Sequence, residues 1–241
     1  MASLSETLER FNRKERNLLV RAILGNKEKP LQLSKGFRCR VAEALEIKAI
    51  DENAWWATDY HYDWLAGALA VHLEGEGAVK KPRPNRSSQE SSDQPKQRRL
   101  VEGTHEDADL IIASDSDLIL VEAKAYGAWS NKQMRSKLAR LELLHRELAL
   151  ITEKIKPENK VRLHLLLISP KEPQKLEACP DWLNRKGHIP WIKLDISLGD
   201  QPILDVSRCD EKGVEMVCTD YWRIGEIKQN THRLILGRKG A

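Results

Sequence analysis

The sequence lacks the features that would place it in a membrane or in a disulfide-stapled scaffold. No apolar run approaches the roughly 20 residues of a membrane-spanning helix, since the longest candidates are Trp64–Val71 and Leu165–Ile168. The four cysteines, at positions 39, 179, 209 and 218, form no CxxC pair, so neither a disulfide framework nor a zinc site is expected. The N-terminus is charged where a signal peptide needs an apolar core. We therefore expect a cytoplasmic protein with no membrane partner.

The chain also lacks a strong excess of charge. Its 241 residues include 40 Lys and Arg against 36 Asp and Glu, a formal net charge of +4, and 41% of them are hydrophobic. This composition is typical of a globular protein and excludes one that binds nucleic acid through net charge alone. The sequence contains neither an internal repeat nor a standard glycine-rich phosphate-binding loop.

The basic excess lies in one segment, residues 80–99 (KKPRPNRSSQESSDQPKQRR). Seven of its residues are basic and two are acidic, so its net charge is +5 and the rest of the chain carries −1. It has no large apolar residue and is rich in Pro, Ser and Gln, which predicts a mobile basic loop. The loop is either an arm that contacts phosphates, through Lys80, Lys81, Arg83 and Arg86, or a solvated surface insertion. Composition alone favours the insertion slightly.

Hydrophobic periodicity predicts several helices. Their ranges are Ser3 to about Leu24, Gly36–Ile47, Thr58 (as N-cap) to about Leu73, and Ser130–Ile155. The last is the clearest, because Ser130 and Gln133 form a capping box while Trp129 and Met134 form a hydrophobic staple. Pro157 ends it.

Short apolar runs between these helices predict strands. Their ranges are Arg99–Glu102, Asp109–Ala113, Asp117–Lys124, Val161–Ile168 and His188–Ile196, with shorter pieces near Ile203–Val206 and Glu215–Trp222. The order of elements predicts a sheet covered by helices, of the α/β or α+β class. We divide the chain into a helical N-terminal extension (1–57), a core (58–200) and a C-terminal extension of the same domain (201–241).

Charged residues lie at the ends of the two most apolar strands, where core strands normally exclude charge. If the hairpin turns on a two-residue loop at 115–116, Asp109 lies directly opposite Glu122, with Cβ atoms roughly 4.5–5.5 Å apart. Lys124, two residues after Glu122, shares that face. A looser turn shifts this register by one residue. Two adjacent carboxylates repel each other, and an all-oxygen site suits Mg²⁺ or Mn²⁺ rather than zinc.

These residues resemble the signature of the PD-(D/E)XK nuclease superfamily, which has the restriction-endonuclease-like fold. The matching residues are Asp109-Leu110-Ile111-Ile112, then Glu122-Ala123-Lys124 at the end of an apolar strand, then a helix. Ala108 stands where the family often has Pro. The resemblance covers residues 58–168 and implies a mixed β-sheet flanked by helices. Its core of helix, three strands, helix and strand would be the helix after Thr58, Arg99–Glu102, the hairpin, the helix after Ser130 and Val161–Ile168.

The resemblance also implies an activity, that of a Mg²⁺-dependent (or Mn²⁺-dependent) deoxyribonuclease. Asp109 and Glu122 would hold the metal ion. Asp63, or less favourably Asp59, would supply an additional acid. Lys124 would orient or activate the attacking water.

Further residues of the long helix would serve the substrate. Gln133 would match a catalytic Gln that some branches of the family carry on this helix. Lys137 and Arg140, on the same side of the helix, would meet a phosphate. The partner implied is DNA, with RNA not excluded, and a homodimer is allowed.

A structural interpretation competes with the nuclease hypothesis. By the same register Asp107 faces Lys124, so either Asp107 or Glu122 would form a strand-end ion pair with Lys124. The protein would then be a catalytically silent nuclease-fold module that binds nucleic acid or protein, or an interaction protein in which these charges are structural. His105, Asp107 and Asp109 also suggest a metal trio, although solvation in a loop is favoured. The aromatic residues between positions 55 and 64 either stack on bases or, more often for such a cluster, belong to the core.

Overall fold

The structure is a computed structural model. It describes residues 3–23, 31–85, 87–88, 98–103, 106–125, 128–152, 160–173, 180–183, 188–194, 204–216 and 220–226. The chain forms two compact units, Met1–Leu194 and Asp195–Ala241. The sequence pattern instead predicts residues 201–241 as an extension of the core domain.

The first unit contains helices and strands in the following order. They are α1 (Leu4–Phe11), α2 (Glu15–Ile23), α3 (Lys35–Ala44), β1 (Trp55–His61), α4 (Tyr62–Glu74), β2 (Ser87–Ser88), β3 (Arg98–Arg99), β4 (Asp107–Ser114), β5 (Asp117–Ala123), α5 (Asn131–Thr152), β6 (Arg162–Ser169) and β7 (Trp191–Lys193). Short 3₁₀ turns lie at Glu76–Ala78 and Asp181–Leu183. Among the described residues, no helix is long and apolar enough to cross a membrane.

One five-stranded sheet organises this unit, with strand order β1-β4-β5-β6-β7. The pairs β1–β4 and β4–β5 are antiparallel, whereas the pairs β5–β6 and β6–β7 are parallel. The α5 helix lies between β5 and β6 in the chain, as a parallel connection requires. The fold is therefore mixed α/β, with a mixed sheet flanked by helices, as the sequence predicts.

Both faces of the sheet are buried. On one face α1, α4 and α5 pack through residues such as Leu8, Leu69 and Leu141. On the other face α3 packs through Val41 and Leu45. Because β5 lies between these two layers, its residues 118–121 are all apolar and all buried, which confirms the sequence prediction of a strand buried on both sides.

The hairpin of β4 and β5 has the predicted register. Ser114 pairs with Asp117, and the ladder continues to Leu110 opposite Val121. Asp115 takes a φ of 51° in the turn. This pairing confirms that Asp109 and Glu122 follow at the same level of the two strands.

The sequence prediction is wrong for the segment before α4. Residues 55–61 form a strand that pairs with β4, and the helix begins at Tyr62 with His61 rather than Thr58 at its N-cap. The proposed domain boundary at residue 58 therefore falls inside β1. Aromatic and β-branched residues favour a pleated, half-buried surface, and pairing with β4 decides the competition with the helical pattern.

Two other elements differ from the prediction. The N-terminal helix is two helices, since the chain leaves the helical region at Asn12 (φ −74°, ψ 100°). The segment predicted as a strand at Arg99–Glu102 contributes only β3, which pairs with β2 in a two-stranded ribbon outside the main sheet. The first strand of the main sheet is therefore β1.

The second unit contains one antiparallel pair, β8 (Leu204–Cys209) and β9 (Tyr221–Glu226). A single bridge between Cys209 and Glu215 places residues 214–216 along the other edge of β8. Strands were predicted nearby, at Ile203–Val206 and Glu215–Trp222, and both are displaced toward the C-terminus in the structure.

Candidate functional site

The hairpin brings Asp109 and Glu122 together at the end of two buried strands. Asp109 is half-buried, and its Oδ2 accepts a hydrogen bond from the Ala123 amide at 2.7 Å. Glu122 is completely buried. Burial raises the pKa of Glu122, and the negative charge of Asp109 adds to this shift.

Glu122 is held by two partners from neighbouring helices. Its Oε1 accepts a hydrogen bond from the hydroxyl of Tyr62 at 2.9 Å, and its Oε2 forms an ion pair with Lys137. Burial raises the pKa of Glu122 to about 7, although the charge and hydrogen bond of Lys137 act in the opposite direction. Glu122 therefore changes its protonation state close to neutral pH.

Lys137 lies inside the site and not on an outer face of α5. Besides Glu122, its ammonium binds the backbone carbonyl of Asp107 at 3.1 Å. The helical pattern predicts Lys137 on a face of α5 that lies away from the buried stripe. This predicted position is wrong, because Lys137 follows Met134 by three positions, lies beside the buried stripe of the helix and pairs with Glu122.

Lys124 lies at the end of β5 and turns toward the segment after it. Its ammonium donates to the carbonyl of Ala128 at 2.8 Å and lies 5.9 Å from the centre of the Trp129 ring. Asp107, its predicted alternative partner, binds Lys14 at 2.6 Å and contacts His61. The described contacts of Asp107 thus do not include the predicted pair with Lys124.

Asp63 serves a different purpose from the predicted one. Its Oδ1 binds Arg140, and its Oδ2 accepts a hydrogen bond from the amide of Gly103 at 2.8 Å. These contacts hold the segment before β4 against α4 and α5. The structure does not bring Asp63 to the Asp109–Glu122 pair as a third ligand.

Arg140 is similarly engaged in the interior. It binds Asp63, Glu106 at 3.1 Å and the carbonyl of Leu100 at 3.3 Å, and only 1% of its side chain is exposed. A guanidinium buried to this degree cannot follow a nucleic-acid backbone along the surface. The predicted phosphate contact at Arg140 is therefore replaced by a structural ion-pair cluster.

Asp59, the second choice for an additional acid, lies on β1, the strand next to β4. It falls between the ladder pairs Thr58–Leu110 and Tyr60–Ala108, at the level of Asp109 on the adjacent strand. Its φ is 51°, and its carboxylate contacts Arg16 at 3.5 Å.

The remaining predicted residues are either peripheral or outside the described parts of the chain. Lys81 and Arg83 bind Glu74 at 3.3 and 2.7 Å, and these contacts lower the pKa of Glu74. Lys80 is exposed. The side chain of Gln133, all of Arg86 and residues 89–97 of the predicted mobile loop lie outside what the structure describes.

Sequence reasoning missed Tyr62, and it predicted a phosphate contact for Lys137 without its ion pair with Glu122. Tyr62 is recognisable only as a member of an apolar helical stripe, and its hydroxyl gives no sequence signal of a carboxylate partner. Lys137 had a usable signal, because a lysine next to a buried helical stripe needs a partner in the interior.

The donor set fits a hard divalent cation. Asp109 and Glu122 supply carboxylate oxygens, and Mg²⁺ is often held by one or two carboxylates while it keeps several waters. Across the described ranges, no group of three or more His, Cys, Asp or Glu side chains is placed to hold a metal. A cation at Glu122 would compete with the ammonium of Lys137 for Oε2.

Comparisons with known proteins add no relative from which a role could be transferred. No family model, no curated protein and no solved structure matches this chain.

Proposed function

We propose that the protein is a divalent-metal-dependent nuclease that hydrolyses phosphodiester bonds of DNA. The observation that carries this proposal is the adjacency of Asp109 and the buried Glu122 at the end of a hairpin, with Lys137 paired to Glu122 and Lys124 two residues further along the chain. Carboxylates rarely lie in a protein core without a positively charged partner. The adjacent carboxylates of Asp109 and Glu122 therefore require one.

The order of elements supports a restriction-endonuclease-like core. The sequence of α3, β1, β4, β5, α5 and β6 reads as a helix, three antiparallel strands, a helix and a parallel strand. This is the order that the PD-(D/E)XK resemblance implies. It differs from the predicted assignment, because α3 and β1 take the first two places while α4, β2 and β3 become an insertion.

Asp109 and Glu122 would hold Mg²⁺ or Mn²⁺. When bound, such an ion polarises a phosphate oxygen and lowers the pKa of a bound water. Lys124 or Lys137 would stabilise the negative charge that develops on the phosphate. Glu122, whose pKa is about 7, must be ionised to serve as a ligand, so we expect metal binding to strengthen as the pH rises through neutrality.

Calorimetry with Mn²⁺ tests the metal site directly. We expect Asp109→Asn and Glu122→Gln to weaken binding by at least about tenfold, because each removes an anionic ligand. Glu43→Gln is the matched control, since Glu43 is an exposed acid on α3, across the sheet from Glu122. Equal heats for wild type and both site variants would refute the assignment.

Cleavage assays test the roles of the two lysines. With plasmid DNA and Mg²⁺ we expect Lys124→Met to retain Mn²⁺ binding and to lose cleavage by at least about 100-fold, because one charge beside the reacting phosphate acts mainly on the transition state. If Lys137 supplies this charge instead, Lys137→Met will show the loss and Lys124→Met will cleave normally.

A catalytically silent module of the same fold is the second candidate. It is favoured by one observation, that both oxygens of Glu122 already have partners, in Tyr62 and Lys137. Wild-type protein that binds DNA but cuts neither DNA nor RNA with Mg²⁺ or Mn²⁺ would support this alternative.

A further inference from the structure

The second compact unit carries a β-ribbon with two unlike faces. In the register of β8 and β9, Val206 lies opposite Ile224 and Arg208 lies opposite Trp222. Because side chains alternate along a strand, one face of the ribbon is formed by Leu204, Val206, Arg208, Trp222, Ile224 and Glu226. We call this the apolar face.

The opposite face is polar and makes its own contacts. Arg223 binds Glu215 at 3.1 Å and reaches the hydroxyl of Ser207 at 3.4 Å. The hydroxyl of Tyr221 donates to Glu211 at 2.7 Å. Cys209, on the same face, is buried, so this face is partly covered.

The apolar face is open to solvent. Its large hydrophobic side chains are between 60% and 65% exposed, and they are Leu204, Val206, Trp222 and Ile224. Met216 extends the patch, because its amide bonds to the carbonyl of Arg208 along the free edge of β8, and it is 50% exposed. A two-stranded ribbon is marginal in water by itself, and contiguous exposed apolar patches mark interaction sites.

We propose that the apolar face binds the same face of a second copy of this chain, in a dimer with two-fold symmetry. The arrangement of charge on the face argues for this occupant. Arg208 lies at one end of the face and Glu226 at the other, with the Val206–Ile224 pair at the centre. The face therefore carries opposite charges at its two ends, and it is electrostatically complementary to a second copy turned end for end.

The symmetry operation follows from this layout. When two copies meet about a two-fold axis that crosses the strands, the Arg208 end of each copy lies against the Glu226 end of the other. The central Val206–Ile224 pair then lies against itself, as an isologous interface requires. The inference does not rest on the proposed nuclease function.

The patch is smaller than a standard protein–protein interface of about 800 Å² per partner. We therefore expect a reversible dimer whose population depends on concentration. Sedimentation equilibrium of the full chain from about 1 µM to about 300 µM should show a monomer–dimer equilibrium. A monomer throughout this range would overturn the proposal.

Point variants locate the interface. Val206→Arg should raise the dissociation constant by at least about tenfold, because it brings two like charges together near the two-fold axis. Tyr221→Arg is the matched control, since it adds the same charge on the polar face and should leave the equilibrium unchanged. Circular dichroism verifies that both variants fold. Dimerisation that survives Val206→Arg, or that is lost with Tyr221→Arg, would overturn the assignment.

A charge-exchange experiment tests the symmetry. Arg208→Glu and Glu226→Arg should each weaken self-association, because each places like charges at both ends of the interface. An equimolar mixture of the two variants should form a heterodimer, since every contact between positions 208 and 226 then joins opposite charges. A mixture that stays as monomeric as its components would overturn the two-fold arrangement.

Discussion

Glu122 shows how strongly the chemistry of one residue depends on its neighbours. Its carboxylate is completely buried and lies close to Asp109, and both effects raise its pKa. Only the ammonium of Lys137 and the hydroxyl of Tyr62 oppose them. The resulting pKa of about 7 makes the site sensitive to pH in the range where most enzymes work.

This pKa predicts a pH-dependent stability. The pKa of Glu122 rises from its usual 4.5 to about 7 on folding, so between these values the folded state binds more protons than the unfolded state. The free energy of unfolding should therefore fall as the pH rises through this window, by about 3 kcal/mol at most. Urea denaturation across the window should show this decrease for wild type and not for Glu122→Gln.

A control variant shows whether the pH dependence of stability belongs to Glu122. Glu43→Gln, which removes an exposed acid on the other side of the sheet, should keep the pH profile of wild type. If the profiles of wild type and Glu122→Gln run parallel, Glu122 titrates near its usual pKa. The expectation that metal binding strengthens as the pH rises through neutrality then loses its basis.

Single residues could be placed from the sequence only where backbone pairing determines their position. Asp109 and Glu122 were placed together because a two-residue turn sets the register of the whole hairpin. The helical pattern predicts an outer face for Lys137 and Arg140. This prediction is wrong because a small error in the rotation of a helix moves a long side chain from solvent to the interior. Their acidic partners come from other elements, which periodicity along one helix does not reveal.

At the scale of elements, Arg140 joins α4, α5 and the segment that leads into β4. We expect Arg140→Met to destabilise the protein by about 3–5 kcal/mol, because it leaves Asp63 and Glu106 without their charged partner in a poorly solvated place. Arg135→Met, an exposed position on the same helix, should change stability by less than about 0.5 kcal/mol. Chemical denaturation of the two variants measures the difference.

This prediction separates the structural role of Arg140 from the phosphate contact predicted by the sequence. A phosphate contact would lower DNA affinity in Arg140→Met and leave the free energy of unfolding unchanged. If that pattern is observed, the ion-pair cluster of Arg140 with Asp63 and Glu106 does not form in solution.

The strand β1 shows why some elements could not be predicted. Thr58 is a favourable N-cap residue, and apolar residues at helical spacing follow it. The predicted apolar stripe of the helix is confirmed, since Leu65, Leu69 and Leu73 are buried. The competing strand depends on pairing with β4, which lies about 50 residues further along the chain. Such non-local pairing leaves no periodic signal beyond the β-propensity of the aromatic residues.

At the scale of the whole molecule, the predicted α/β class with a mixed sheet flanked by helices is confirmed, whereas the predicted first strand of that sheet is wrong. The alternation of buried strands and amphipathic helices predicts a helix-covered sheet, which the structure contains. Of the predicted first strand at residues 99–102, only Arg99 lies in a strand, β3, and that strand belongs to a ribbon outside the sheet. Sequence order alone does not show that residues 55–61 pair with β4 ahead of α4.

The division into two compact units leads to a last prediction. Every residue of both hydrophobic clusters lies within Met1–Leu194, and so do all strands of the main sheet. A fragment that ends at Leu194 should therefore fold alone and melt within about 3 °C of the full chain, because it keeps the buried area that stabilises the sheet. Since it lacks β8 and β9, it should also be monomeric where the full chain dimerises. Calorimetry and sedimentation of the fragment measure both properties; a fragment that folds but still dimerises would place the interface in the first unit.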